Sequence, residues 1–239
     1  MDAKTHDSDT KTALPPGQRE FSFLPRYGLF QYATRINPRP PALQLDIGGD
    51  IAQPLQLGAA DLAALPRVAQ CSDLHCITTW SKRGNQWSGY RFRDFYTQIV
   101  QPHAQPAEGL RYVVLHAQDR YRTYFELDDA LADDVLLADR LDGVALDWQH
   151  GAPLRIVAPA HYGFRSAKHL VRIEFCRSLD NYRPPAMHWT EHPRARVAYE
   201  ERGRWLPAVL YRYLFRAVVP LVLWWYRRAA RHAGLGSTR

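Results

Sequence analysis

Cysteine is scarce in this sequence. Three stand at Cys71, Cys76 and Cys176, an odd and low number that supplies no disulfide framework. A reducing compartment is the simpler expectation, and a single reactive thiol becomes worth seeking. Residues 1–17 contain no apolar run and no twin-arginine motif, so no secretory signal is read there and the protein is expected to be cytoplasmic. Long hydrophobic stretches are also missing. In the most apolar segment, near the C-terminus, the longest charge-free run is residues 217–226, ten positions. A spanning helix takes about 20 apolar residues, so this segment is not expected to cross a membrane. No Cys-x-x-Cys-His haem motif, internal repeat or low-complexity segment occurs. His161, His169, His188 and His192 lack the spacing of a zinc site and read as ordinary histidines. No nucleic-acid-binding module is recognisable, so nucleic acid is not an expected partner.

What is present is material for a core. The 239 residues are 46% hydrophobic and include seven Trp and thirteen Tyr, enough for one good-sized domain with extensions. The net charge of +7 is unevenly spread. Residues 181–239 hold eleven Arg, no Lys and three Glu, which gives +8; residues 1–180 hold 20 basic and 21 acidic residues, which gives −1. Such asymmetry marks either a docking tail or a solvated face. The chain is therefore divided into a mobile leader (1–20), a folded domain (21–180) and an Arg-rich amphipathic helical tail (181–239).

Hydrophobic alternation predicts a strand over 43–47, and further strands are expected over 74–79, 112–115, 124–127, 154–157 and 170–175. Helices are expected over 59–65, stopped by Pro66, over 92–100, and for one turn at 128–132 capped by Asp128. Prolines 38, 40 and 41 mark a rigid turn. Short strands and helices alternate without regular βαβ spacing, which argues for an α+β fold with mixed sheets. Beyond Pro184 the pattern changes. Residues 206, 209, 210, 213, 214, 217, 218, 221, 224 and 225 are all apolar, one face of a helix. Pro207 suits its first turn, Pro220 should kink or split it, and Arg227, Arg228 and Arg231 suit its C-terminal pole. That stripe either packs on the domain or lies in a membrane interface, giving peripheral membrane contact.

Two segments carry candidate chemistry. In Leu74-His75-Cys76-Ile77-Thr78-Thr79-Trp80-Ser81-Lys82-Arg83, a cysteine at a predicted strand end is followed by Trp80 and the cations Lys82 and Arg83. Nearby cations populate a thiolate, the form that binds soft metals. Taken alone, the segment equally suits a buried structural cysteine. The second segment, His150-Gly151-Ala152-Pro153-Leu154-Arg155, runs through a strand into a glycine-containing loop ending Ser166-Ala167-Lys168. Arg155 and Lys168 supply donors suited to a phosphate, and the loop backbone could form an anion-binding concavity. A basic surface loop is the plainer alternative.

Together, and in this order, the segments resemble the molybdopterin-binding domain of the sulfite oxidase family. The family pattern is a metal-binding Cys, then His or Asn followed by Gly-x-Pro-(Val or Leu)-Arg, then a glycine-containing loop ending in Ser-x-Lys. The resemblance covers residues 21–176 and implies a sulfite-oxidase-type fold with a molybdenum–molybdopterin cofactor. It implies Cys76 as the protein sulfur on molybdenum, His150 and Arg155 on the pterin and its phosphate, and Ser166, Ala167 and Lys168 around that phosphate. Phe30 and Gln31, in a loosely matching stretch, would approach the pterin from the other side. The activity implied is oxygen-atom transfer on a small oxyanion or oxide of sulfur or nitrogen. Sulfite oxidases carry Arg four residues after the cysteine, where this chain has Trp80 as in the methionine-sulfoxide reductase type; His150 instead matches the sulfite oxidases. Trp80, Lys82 and Arg83 are thus candidate substrate-side residues, with Arg165 a further candidate cation. With no haem domain, electrons would pass to or from a separate partner. A non-catalytic cofactor-binding or membrane-docking protein on the same fold is the alternative.

Overall fold

A computed structural model describes residues 13–24, 42–184 and 192–232. In chain order the elements are β1 (Arg19–Glu20), β2 (Leu45–Gly49), β3 (Leu55–Leu57), α1 (Ala59–Ala63), β4 (Arg67–His75) and β5 (Trp80–Arg91). Then come α2 (Phe92–Phe95), which runs into a wide π-helical segment (Tyr96–Ala104), β6 (Tyr112–Ala117), β7 (Arg122–Glu126) and α3 (Leu127–Ala130). The rest is β8 (Leu136–Leu141), β9 (Val144–Ala145), β10 (Arg155–Val157), β11 (Leu170–Cys176) and α4 (Ala208–His232).

The strands form two mixed sheets. One runs β1-β5-β8-β10, with β4 also on β5 and β9 on β8; the other runs β3-β2-β11-β6-β7. β1 pairs parallel with β5 and β11 parallel with β2; the other pairings are antiparallel. The expected α+β class with mixed sheets and short helices is what the chain forms.

The two-residue period of strands distributes side chains between two cores. Along β8, Leu137 enters the core between the sheets, with Ile47, Val113 and Ile173, while Leu136 and Ala138 face the other side. β10 repeats this, Ile156 going to the first core and Val157 to the second. The first sheet is therefore covered on both faces. The second core holds Cys76, Trp80, Trp87 and Tyr162, and is closed by residues from both ends of the described chain: Phe21 and Leu24 on one side, Ala195, Val197, Phe215 and Val219 on the other. The packed body thus extends past the boundary expected at 180, and the pairing of β1 with β5 brings Arg19 and Glu20 into the sheet.

Most expected elements form within a residue or two, and the differences have physical causes. The strand expected over 74–79 ends at His75, because residues 76–79 reverse direction: Thr79 N–H donates to Cys76 O at 3.1 Å, and Cys76 N–H donates to Trp80 O at 2.8 Å. β5 gives no hydrophobic signal, yet it is the spine of its sheet. Its Gly89 passes so close to β8 that a Cβ would lie 2.1 Å from Leu137 O. Asp128 is not a cap: α3 begins after Glu126, without a side-chain cap. α4 is not split at Pro220: the proline costs a ladder bond and crowds the carbonyl four residues back, while Val219 and Val222 on either side of it hold the helix on the second core.

The most informative difference concerns which face α4 buries. Tyr211 and Val222 are buried, and Phe215 and Val219 pack on the second core. The stripe read from the sequence points the other way. Glycines let the docked face come close: a Cβ at Gly203 would overlap the Tyr211 ring, and one at Gly17 would lie 2.6 Å from Arg212 Cδ.

Candidate cofactor site

The β4–β5 hairpin projects Cys76 in its turn. Thr79 closes that turn at φ 75°, a left-handed conformation unfavourable for a β-branched residue and held only where the surroundings over-determine it. Those surroundings come from both chain extremities. Gln18 Nε2 donates to Cys76 O at 3.1 Å, and the Arg202 guanidinium donates to Ile77 O and, at 3.0 Å, to Pro16 O. The Cys76 side chain is 7% exposed, with its sulfur 3.0 Å from Thr78 Oγ1. Burial pushes the thiol up, opposed by the Thr78 hydrogen bonds and by the positive charges of Arg202 and Lys168. The cations that act on the thiol are therefore these two, rather than the neighbouring Lys82 and Arg83. Lys82 donates to Arg83 O, and Arg83 lies 3.9 Å from Glu20.

The second segment wraps against this turn. Gly163 N–H donates to His75 O at 2.7 Å, and a Cβ on Gly163 would press on Leu74 at 3.1 Å. Gly151, at φ 111°, lets the turn after His150 lie on the loop end: a Cβ there would be 3.0 Å from Lys168 Cβ and 3.2 Å from Arg155 Cβ. Arg155 is buried, with its guanidinium over the Trp87 ring at 4.8 Å. It donates to His150 O (2.8 Å), Ser166 O (3.3 Å) and Ile156 O (3.3 Å). These use three of its five N–H groups, and no carboxylate pairs with it among the described residues. Burial drags its pKa down to about 9. A buried cation compensated by carbonyls and a ring face, with no counter-charge among the described residues, is costly, and an anion at this point would relieve that cost.

The other expected residues take distinct places. Lys168 Nζ donates to Gln149 O at 2.9 Å. Half-buried His150 sets Nδ1 2.8 Å from Asp147 Oδ1 and Nε2 3.3 Å from Leu24 O; burial lowers its pKa despite Asp147. Ser166 and Ala167 shape the loop. Their N–H groups go to Gly163 O and Arg165 O, while Ser166 Oγ accepts the Ala158 N–H. Trp80 is buried and stacked on Phe21 at 5.4 Å. Arg165 is consumed by Thr123, Tyr124, His192 and Pro193, so it ties the loop to β7 and to the C-terminal segment. Phe30 and Gln31 lie outside the described residues.

Two residues escape sequence reasoning. Tyr162 is fully buried under the Arg202 guanidinium, its hydroxyl without a hydrogen-bond partner among the described residues. Burial pushes it up to about 12, with Cys76 close enough to contribute. Arg202 has a fully buried side chain paired with Glu200 at 3.1 Å. Nothing in the sequence separates it from the solvated arginines around it; only the glycine after it, which Tyr211 needs, is a trace.

A molybdopterin fits these residues. Among the described residues no three His, Cys, Asp or Glu side chains converge as a protein-only metal site. A metal held mainly by a dithiolene needs only one protein sulfur, and here there is one buried thiol beside an under-compensated arginine and a lysine. The class defined is a cofactor-dependent oxidoreductase, and the comparisons agree. Residues 33–182 match the oxidoreductase molybdopterin binding domain, and the chain belongs to that family, with molybdenum–molybdopterin as its cofactor. It is 34% identical over 179 residues to the uncharacterized oxidoreductase YuiH of Bacillus subtilis, covering 73% of this chain and 84% of that one. It is 30% identical over 148 residues to the protein-methionine-sulfoxide reductase catalytic subunit MsrP of Campylobacter jejuni, covering 56% of this chain and 49% of that one. The MsrP of Ralstonia nicotianae is 29% identical over 161 residues, 61% of this chain and 46% of that one. The chain thus spans about half of each reductase subunit. The sulfane dehydrogenase SoxCD of Paracoccus pantotrophus shares the fold, with TM-score 0.53 at 20% identity, over 64% of this chain and 43% of that one.

Proposed function

We propose that this chain transfers an oxygen atom to or from a small sulfur or nitrogen oxyspecies, with Cys76 as the protein thiolate on molybdenum. What supports the reading is one juxtaposition: a buried thiol in a strained turn, joined through the Gly163–His75 hydrogen bond to the loop that carries Lys168 and packs on Arg155. The bound cofactor supplies the two-electron redox chemistry, and the protein supplies position and electrostatics. Arg155 and Lys168 would hold the phosphate, and His150 the pterin edge. Trp80 and Tyr162 line the thiol's side of the second core and exclude water. Lys82 and Arg83 are left as outer charges toward the substrate. Electrons would pass to or from a separate redox partner.

The test is metal and pterin analysis of the purified protein, followed by turnover in two arms: sulfite with an artificial electron acceptor, and methionine sulfoxide with an artificial donor. About one molybdenum per chain is expected. Cys76→Ala should keep the pterin and lose turnover in both arms, whereas Cys71→Ala and Cys176→Ala should stay active. Full turnover in Cys76→Ala refutes the ligand assignment.

A further inference from the structure

α4 has two apolar faces, and among the described residues only one has a partner. The inner face is taken by the second core through Tyr211, Phe215, Val219 and Val222. The outer face carries Leu210, Leu214, Leu221, Trp224 and Trp225, each between 37% and 53% exposed. At 1.5 Å per residue this stripe extends for roughly 22 Å. Monomeric proteins seldom leave so long a contiguous apolar band uncovered without a use for it.

Charge identifies what covers it. From residue 202 onward the sequence has eight Arg and no Asp, Glu or Lys. On a helical period Arg228 and Arg231 continue the outer stripe beyond Trp224, and the Arg228 guanidinium lies 5.9 Å from the Trp224 ring. Exposed leucines, two tryptophans and a cluster of arginines on one helix face suit the boundary of an anionic bilayer, where indoles sit at headgroup depth and arginines meet phosphates. The helix is long enough to invite a second idea: residues Ala208–Trp225 have a mean hydropathy of 1.3, a length and composition that would serve for a span. The docked face excludes this while the fold is intact. Arg212 pairs with Glu200, Arg216 donates to Gly17 O, and Tyr211 is buried, so one side of the helix belongs to protein.

We infer that α4 is an in-plane membrane anchor: its outer face enters the headgroup layer of an anionic bilayer while its inner face stays docked on the catalytic domain. The same helix is tied to the Cys76 turn through Glu200 and Arg202, so the anchor sets the cofactor side of the domain at a fixed orientation to the lipid surface. This inference stands whether or not the proposed oxygen-atom chemistry is correct.

The experiment is flotation of the full-length holoprotein with vesicles of phosphatidylcholine and phosphatidylglycerol (3:1), and with phosphatidylcholine alone, at low and high salt. The parent protein should float with the anionic vesicles at low salt and bind at least tenfold less to the neutral ones. Leu210→Ser/Leu214→Ser/Trp224→Ser should lose at least tenfold in binding with no fall in Tm, since these side chains are exposed. Arg227→Gln/Arg228→Gln/Arg231→Gln should lose most of the salt dependence. Absence of flotation overturns the inference, as does binding unchanged in the apolar triple variant. Resistance of the bound protein to alkaline carbonate would make the helix a span and also overturn it. So would concentration-dependent dimerisation, removed by the same triple variant, in a protein that ignores vesicles.

Discussion

Arg202→Ala tests whether the chain ends hold the cofactor turn. The guanidinium is wholly buried, donating to Ile77 O, to Pro16 O at 3.0 Å and to Glu200 at 3.1 Å, over the Tyr162 ring at 4.9 Å. Truncation leaves the Ile77 carbonyl buried without its donor and opens a void beside Tyr162, while Glu200 keeps Arg212. A hydrogen bond from a charged donor contributes about 1.5–3 kcal/mol, so losing the two to carbonyls should cost roughly 3–5 kcal/mol after partial relaxation. That is a large share of a typical stability of about 5–15 kcal/mol. In a chain of this size each kcal/mol moves Tm by about 2–4 °C, so the fall should be roughly 6–20 °C. Arg177→Ala is the control. Its pair with Asp50, at 3.6 Å, is exposed enough that about 0–1 kcal/mol is at stake. Scanning calorimetry reads both, and pterin content should fall in Arg202→Ala alone. Arg202→Lys should recover little, because one ammonium cannot serve three acceptors in a plane. A Tm within 2 °C of the parent for Arg202→Ala would refute the clamp.

Gly89→Ala should prevent folding, because its Cβ would need to occupy the space of the Leu137 carbonyl; soluble, two-sheet protein by circular dichroism would contradict this. Arg155→Ala and Lys168→Ala should each weaken pterin retention about tenfold or more, by loss of a charge-assisted contact of roughly 1.5–3 kcal/mol, and unchanged occupancy of the double variant at limiting cofactor would remove their phosphate role. Burial lowers the pKa of His161 below 6.5 despite Asp129, so below pH 6.5 the unfolded chain binds more protons and stability must fall with acid toward the folded value. Asp129, which Arg194 and His161 hold low against burial, adds a second loss only near the carboxylate range. His161→Asn should reduce the fall of urea-measured stability between pH 6.5 and 5 without abolishing it, because burial lowers His75 and His150 in the same direction, and an unaltered slope there counts against the assignment. Tyr211→Ala should destabilise by about 3–5 kcal/mol and Tyr213→Ala by less than about 0.5 kcal/mol, because the first is 4% exposed and the second 65%; equal effects would mean that the helix docks by another face.

The legible parts of the fold were those in which side chains declare themselves. β2 and β11 alternate visibly, β6 is a short apolar run, and the two cofactor segments carry a long ordered pattern. β5 was illegible because a strand paired on both edges needs backbone complementarity more than apolar residues, and Trp-Ser-Lys-Arg-Gly-Asn-Gln offers no period. β8, buried on both faces, reads as Leu-Leu-Ala followed by charge, too short a run to classify. Of the candidate site residues, Cys76, Arg155 and Lys168 were found by motif. Arg202 and Gln18 were not, because a residue that holds a turn from more than fifty positions away leaves no local signal.

The helical tail shows why the missing information was of one kind. Periodicity says that a face is apolar, not what it meets. α4 has apolar residues on nearly its whole circumference over its first four turns, broken by Arg212 and Arg216. The sequence left the wider stripe two placements, on the domain or in a membrane interface, and docking followed the arginines: two part-buried acceptors, Glu200 and Gly17 O, lie where those cations can be satisfied. Burying the wider stripe instead would have left both arginines facing away from their acceptors. Polar satisfaction therefore chose the orientation, and the larger apolar face was left outside. Removing the whole tail cannot separate the two faces, because it also takes away the partner of Glu200 and the ring that fills the space beside Gly203, and with them the support of the Cys76 turn. Only substitutions confined to one face distinguish an anchor from a clamp.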